Sequence, residues 1–226
     1  NQSYELTGLP KIPQIMRKTY KDDNPLGIDI KMETGTGKTY VYTRLMYELH
    51  NLGFFKFIIL VPSTPIKEGT RNFIESDYSK SHFKDLFPDL NLDLNVLDPQ
   101  KNKKGRKMVP TAISNFARGS RLENNKINTL LTTSSMLMSK ATMAKDDYDQ
   151  TLLGEFTQPY EALRNTKPIV IIDEPHRFKR ENVAYKTIIE ELDPQIIFRF
   201  GATFPDLPKN QGKDYNNLVY NLGAAR

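Results

Sequence analysis

Residues Glu33-Thr34-Gly35-Thr36-Gly37-Lys38-Thr39 restrict this chain more than any other stretch. They place a glycine-rich turn ending in Lys-Thr between an apolar strand and a helix. The strand is read at Gly27–Met32. The helix is read from Val41, Leu45 and Leu49 at four-residue spacing, with Met46 beside them and Gly53 just past its end. Gly35 and Gly37 let backbone N–H groups close on oxygens with no Cβ in the way, so Thr34 to Thr39 read as a phosphate cradle. Within it, the Lys38 ammonium can reach β- and γ-phosphates and the Thr39 hydroxyl can ligate Mg²⁺. The helix N-terminus adds partial positive charge. The general pattern opens with Gly, and Met32 stands there instead.

A strand–cradle–helix unit belongs to α/β folds, and the rest of the chain repeats that alternation. Short apolar strands are read at Phe55–Val61, Asn91–Leu97, Ile127–Thr133, Ile169–Ile172 and Gln195–Gly201, with helices at Pro65–Ile74, Pro110–Phe116 and Asn182–Leu192. Ile-rich strands separated by helices predict a mostly parallel sheet with helices on both faces. Ligands of such sheets collect at the carboxyl ends of the strands, where the cradle lies. With 226 residues the chain can form a single lobe over 1–226, with surface insertions near 98–108 and 140–160. There is no internal repeat.

Composition excludes several classes. With no cysteine there is no disulfide framework, no thiolate zinc site and no cysteine nucleophile, which fits a cytoplasmic location. The most apolar run, Phe57 to Val61, is far too short to cross a bilayer, so no membrane partner is expected. No N-terminal signal sequence is read, and a start at Asn1 rather than Met fits an excised piece. A net charge of +5 is compatible with a polyanionic partner without requiring one.

A second constellation completes a hydrolytic site. Pro168-Ile169-Val170-Ile171-Ile172 is an apolar strand that ends in Asp173-Glu174-Pro175-His176. A nucleotide held at Lys38 needs a carboxylate near its Mg²⁺, and Asp173 at the strand end is placed for that. Glu174 can orient and deprotonate the attacking water, and His176 can sense the γ-phosphate through a hydrogen bond. In Arg199-Phe200-Gly201-Ala202-Thr203-Phe204, small residues allow close approach to the acidic motif, and the Thr203 hydroxyl can bond to His176.

Together with Val61-Pro62-Ser63, Ile66-Lys67-Glu68-Gly69 and Asp173-Glu174-Pro175-His176-Arg177-Phe178, these segments resemble the restriction (Res) subunit of type III restriction enzymes. The similarity extends to segments without a general motif, such as Glu161-Ala162-Leu163-Arg164 and Lys213-Asp214-Tyr215. Met32 also fits, since the family cradle looks like Met-Glu-Thr-Gly-Thr-Gly-Lys-Thr. The resemblance implies a RecA-like P-loop NTPase lobe of a superfamily 2 helicase-type motor. Such a motor hydrolyses ATP with Mg²⁺ to move or switch on double-stranded DNA, in complex with a methyltransferase (Mod) subunit. It also implies DNA-backbone contacts at Pro62, Ser63, Thr132 and Thr133, and coupling of hydrolysis to movement at Gly201, Ala202 and Thr203. Against the complete family pattern, a second lobe with its arginine finger and a nuclease domain are expected to be missing from these 226 residues.

Other readings stay open at this level: a superfamily 2 helicase acting on RNA or DNA outside restriction, or a nucleotide-gated interaction module. A small-molecule kinase is weaker, for want of an acceptor pocket or lid. The basic run Lys101, Lys103, Lys104, Arg106 and Lys107 reads as a solvated loop or a nucleic-acid contact, Gln14 as an adenine reader or a surface residue, and Pro205-Asp206 as a turn.

Overall fold

The computed structural model describes residues 25–99, 109–119, 125–144, 148, 156, 158–178, 182–206, 212–215 and 217–222. Seven strands form one parallel sheet: β1 (Leu26–Met32), β2 (Lys56–Val61), β3 (Asn91–Val96), β4 (Lys126–Thr133), β5 (Ile169–Asp173), β6 (Ile196–Gly201) and β7 (Leu218–Leu222). Their order across the sheet is β3-β4-β2-β5-β6-β1-β7. The six sequence-read strands agree with β1–β6 to within one or two residues at each end.

Eight helices are described: α1 (Lys38–His50), α2 (Thr64–Glu75), α3 (Asp77–Leu86), α4 (Thr111–Arg118), α5 (Ser134–Leu137), α6 (Lys140–Met143), α7 (Pro159–Asn165) and α8 (Val183–Thr187). α8 runs into a π-helical turn at Ile188–Leu192, so the helix expected at Asn182–Leu192 changes its hydrogen-bond pattern midway. Side chains alternate across each strand and bury two separate cores. Ile28, Ile30, Phe57, Ile59, Ile171 and Phe200 pack with Tyr42, Met46, Ile74 and Phe83 of α1–α3. Ile58, Leu60, Val170, Ile172 and Ile197 pack with Ile113, Phe116, Leu163 and Ile188 on the other face. Each fully buried side chain of this kind contributes roughly 1.5–3 kcal/mol. Helices on both faces of a parallel sheet, with the cradle after β1, make this a RecA-like α/β lobe.

The stretch 140–160 is not all surface. Met143 is fully buried, and Tyr160 is nearly so, its hydroxyl donating to the Leu137 carbonyl. The basic run 101–107 and Gln14 lie outside the described residues. Pro205 and Asp206 begin a short return toward β7: Asp206 bridges Lys213 in antiparallel fashion, and the Lys213 ammonium lies 2.6 Å from its carboxylate.

One polar pair is sealed into the sheet. Arg199 on β6 faces Asp29 on β1, and its Nε and one terminal nitrogen donate to the two carboxylate oxygens, each at 2.7 Å. The same terminal nitrogen donates to the Asp214 carbonyl at 2.7 Å, and the guanidinium lies 5.4 Å from the Phe204 ring centroid. Both charged side chains are completely buried.

Candidate active site

The cradle takes its shape from where β1 stops. Met32 is the last strand residue and its side chain lies in the core, so the turn begins after it and no glycine is needed there. Glu33 then accepts from the backbone and hydroxyl of Thr36, at 3.3 and 2.7 Å. Gly35 and Gly37 have φ of 81° and 86°, left-handed values that side-chain-bearing residues rarely adopt. A Cβ at either would meet nothing within 4 Å, so the space beside the turn is open to a ligand. Gly37 caps α1, whose first residues are Lys38 and Thr39. That concave turn with exposed N–H groups fits a chain of phosphates.

The sheet brings the acidic motif to the same edge. Asp173 ends β5 and pairs with Phe200 of β6, while Lys31 of β1 pairs with Gly201, so β6 is the one strand between cradle and carboxylates. Lys38, only 9% exposed, sets its ammonium 3.0 Å from the Glu174 carboxylate. Glu174 has φ 58° and ψ 64°, a strained conformation for a residue with a side chain, held by its N–H donating to the Phe200 carbonyl at 2.9 Å. That twist turns one carboxylate oxygen toward Lys38 and the other toward His176, whose Nδ1 lies 3.3 Å away. The Thr203 hydroxyl lies 3.2 Å from the same Nδ1. With Nδ1 engaged on this side, Nε2 is left to meet a ligand.

Gly201 closes the arrangement. A Cβ there would stand 2.4 Å from the Pro175 ring, so the end of β6 packs directly against the acidic turn.

Asp173 is buried, and its Oδ1 has no hydrogen-bond partner. Burial pushes its pKa up to about 6 and the Glu174 charge adds to this, against the opposing pull of Lys38 and the Glu174 N–H. An orphaned carboxylate oxygen beside a phosphate cradle fits a hydrated divalent cation. Among the described residues no group of three or more His, Asp or Glu could hold a metal alone. Mg²⁺ keeps its waters and binds through one or two protein ligands plus substrate phosphates.

The family model for "Type III restriction enzyme, res subunit" matches residues 11–206. The chain belongs to this family. It is 51% identical over 195 residues to the type III restriction-modification enzyme StyLTI Res subunit of Salmonella typhimurium, and 42% identical over 201 residues to the EcoP15I Res subunit of Escherichia coli. Those matches cover 85% and 87% of this chain, and 20% of each relative. The chain therefore spans about a fifth of the length of these curated relatives. Among solved structures it is similar to the Sulfolobus solfataricus SWI2/SNF2 ATPase core in complex with dsDNA, at 14% identity and a TM-score of 0.42, covering 84% of this chain and 30% of that one. It is also similar to a nuclease-deletion mutant of the type ISP restriction-modification enzyme LlaGI, at 15% identity and a TM-score of 0.47, covering 93% and 19%.

In this Res-family lobe the segments expected to touch DNA are arranged unequally. Pro62 and Ser63 follow β2 directly and are half-buried, with Ser63 at the start of α2 and its side chain making no cap hydrogen bond. Thr132 and Thr133 are enclosed. The Thr132 hydroxyl donates to the Thr133 carbonyl at 3.3 Å, and the Thr133 hydroxyl caps α5 by accepting from the Met136 N–H at 3.3 Å. Ser135, in the helical turn that follows, is exposed, and its hydroxyl lies 3.0 Å from Thr133 Oγ1. Tyr42 was also not legible as a site residue. Its buried hydroxyl lies 3.0 Å from Thr70 Oγ1, joining the cradle helix to α2, and burial, with the Asp173 charge, pushes its pKa up to about 12. Its position on the same face as Met46 was the one signal for it.

Proposed function

We propose that this chain is the ATP-binding lobe of a type III Res subunit, hydrolysing ATP with Mg²⁺ to drive movement or switching on double-stranded DNA beside a methyltransferase subunit. The observation that carries the reading is the convergence of Lys38, Glu174, His176 and Thr203, linked by contacts of 3.0–3.3 Å, at the strand end where Asp173 is buried. Family membership supplies the link to restriction and DNA.

Residues 34–39 bind the phosphates through backbone N–H groups, and Lys38 neutralises the β/γ oxygens. To do so Lys38 leaves Glu174, which frees that carboxylate to take a proton from the attacking water. Thr39 and Asp173 would hold Mg²⁺, which when bound would offset the charge developing on the phosphates. His176 reports the γ-phosphate, and Thr203 passes its position to β6, where Gly201 touches Pro175. Pro62, Ser63 and the strand-end segment around Thr132 and Thr133 face the nucleic acid from the same edge. A cytoplasmic location accords with the absence of cysteine. Among the described residues no helix is long and apolar enough to cross a membrane.

Asp173→Asn tests the reading through two opposite effects. The folded-state pKa is raised, so the unfolded chain releases its proton near 3.8 while the folded chain keeps it to about 6. Stability in Mg²⁺-free buffer therefore falls as pH rises through that window, and the loss is complete above it. The amide does not titrate, so Asp173→Asn should be more stable at pH 7.5 by on the order of 2 kcal/mol, read from urea unfolding. The same variant should lose the Mg²⁺-dependent part of ATP affinity in calorimetry. A variant that still tightens on ATP when Mg²⁺ is added would remove Asp173 from the metal's coordination.

A further inference from the structure

Tyr42 is 0% exposed and stands three residues after Thr39, on the same face of α1. Its ring meets the Phe200 ring edge-on, with centroids 5.7 Å apart and planes at 69°. Phe200 is also the residue whose carbonyl accepts from the Glu174 N–H. The Tyr42 hydroxyl is held 3.0 Å from Thr70 Oγ1 of α2, itself 2% exposed. The Thr39 side chain lies within hydrogen-bonding reach of the same hydroxyl, and the Asp173 charge acts on it. The backbone of Thr39 is fixed as well, since the Thr43 hydroxyl donates to its carbonyl at 2.7 Å. Burial of a phenol calls for one hydrogen-bond partner, which Thr70 supplies. It does not call for a second at the residue next to Lys38.

We propose that Tyr42 is a positioning residue for the Mg²⁺-binding hydroxyl of Thr39, as the middle of a buried chain that runs from Thr39 through Tyr42 to Thr70. This rests on the ATP-site reading above and deepens it, by naming what orients one of the two groups that would hold the metal. A threonine hydroxyl has one proton and two lone pairs, and it ligates a cation through a lone pair, so its proton must point elsewhere. The Tyr42 oxygen can accept from that O–H, and its own O–H then donates to Thr70 Oγ1. Every hydroxyl in the chain is thereby satisfied, and a Thr39 lone pair is left for the cation. Phenylalanine at position 42 would keep the ring against Phe200 but leave the Thr39 proton without that acceptor. The rotamer that offers a lone pair to the metal would then no longer be selected.

The test uses the 226-residue chain and reads ATP affinity by calorimetry, with Mg²⁺ in excess and again with the metal chelated. Tyr42→Phe should reduce the Mg²⁺-dependent gain in affinity on the order of tenfold, the worth of one hydrogen bond to a group that meets a cation. Affinity in the metal-free arm should stay as it was. Thr70→Val should act in the same direction, and Thr70→Ser, which keeps a hydroxyl acceptor, should retain the gain. Urea unfolding establishes that each variant folds; should Tyr42→Phe not fold, the Thr70→Val and Thr70→Ser pair carries the same comparison. An unchanged Mg²⁺-dependent gain in Tyr42→Phe would overturn the proposal and leave the phosphate site standing. Equal weakening with and without Mg²⁺ would overturn it as a general structural effect of removing a buried hydroxyl. A loss in Tyr42→Phe that Thr70→Val does not share would overturn the chain through Thr70. Failure of the unsubstituted chain to bind ATP in either arm would overturn the ATP-site reading along with it.

Discussion

Arg199→Met should lower stability by about 3–5 kcal/mol, because it removes the guanidinium that faces the buried Asp29 carboxylate across the sheet. Asp29 and Arg199 are both completely buried, face each other in register on adjacent strands, and share two hydrogen bonds of 2.7 Å. The loss would also remove the donation to the Asp214 carbonyl, which ties the segment leading to β7. Domains of ordinary stability have a margin of about 5–15 kcal/mol, so the single change consumes much of it. The pair itself need not be net stabilising, since removing two charges from water costs nearly what their attraction returns. The double change Asp29→Leu with Arg199→Met should therefore recover most of the loss. Urea midpoints of the two single variants and the double variant check this. A loss below about 1 kcal/mol in the single variant would mean that Asp29 finds water or another partner.

Glu174→Gln should separate binding from chemistry. The amide keeps the shape of the side chain but cannot accept a proton from water, so hydrolysis should fall about 10²–10⁴-fold relative to the unsubstituted protein. Affinity for MgATP should be kept or increased. Glu174 holds Lys38 at 3.0 Å, and its negative charge opposes an arriving γ-phosphate. Removing that charge frees the ammonium and ends the repulsion. Single-turnover hydrolysis and calorimetry on the same preparation read the two effects. Unimpaired hydrolysis would place the base elsewhere, and a large loss of binding would show Glu174 to be structural.

The reasons these residues meet were only partly legible in the sequence. The cradle, the Asp-Glu-Pro-His run and Gly201-Ala202-Thr203 are local patterns whose residue types carry their chemistry, and the contact between His176 and Thr203 is present in the structure. Strands β1, β2, β4, β5 and β6 announce themselves as short apolar runs because both their faces are buried, whereas the edge strand β3 shows only an alternation of leucine and valine with polar residues. β7 does not, since Leu218, Val219 and Tyr220 are exposed on an edge. α3 escaped because its fully enclosed positions are few, Phe83 being the one apolar residue among them, although Ser76 caps it by accepting from the Ser79 N–H. α5 and α6 are single turns of four residues, too short for any periodicity. The Asp29–Arg199 pair spans 170 residues, and opposite charges within two apolar strands were its sole trace. The cap that Thr133 gives the helix after β4 was not legible either, because a hydroxyl at a strand end can cap a helix as readily as it can meet a ligand.

Calorimetric titration of MgATP into the unsubstituted chain and into Lys38→Ala tests the nucleotide site most directly. The lysine ammonium is the one side-chain cation placed in the cradle, and a charged hydrogen bond of this kind contributes about 2–3 kcal/mol. The account predicts saturable MgATP binding by the unsubstituted chain and an affinity lower by that amount, roughly 30- to 160-fold, in the variant. Equal affinity in the two proteins, or no binding in either, would contradict it.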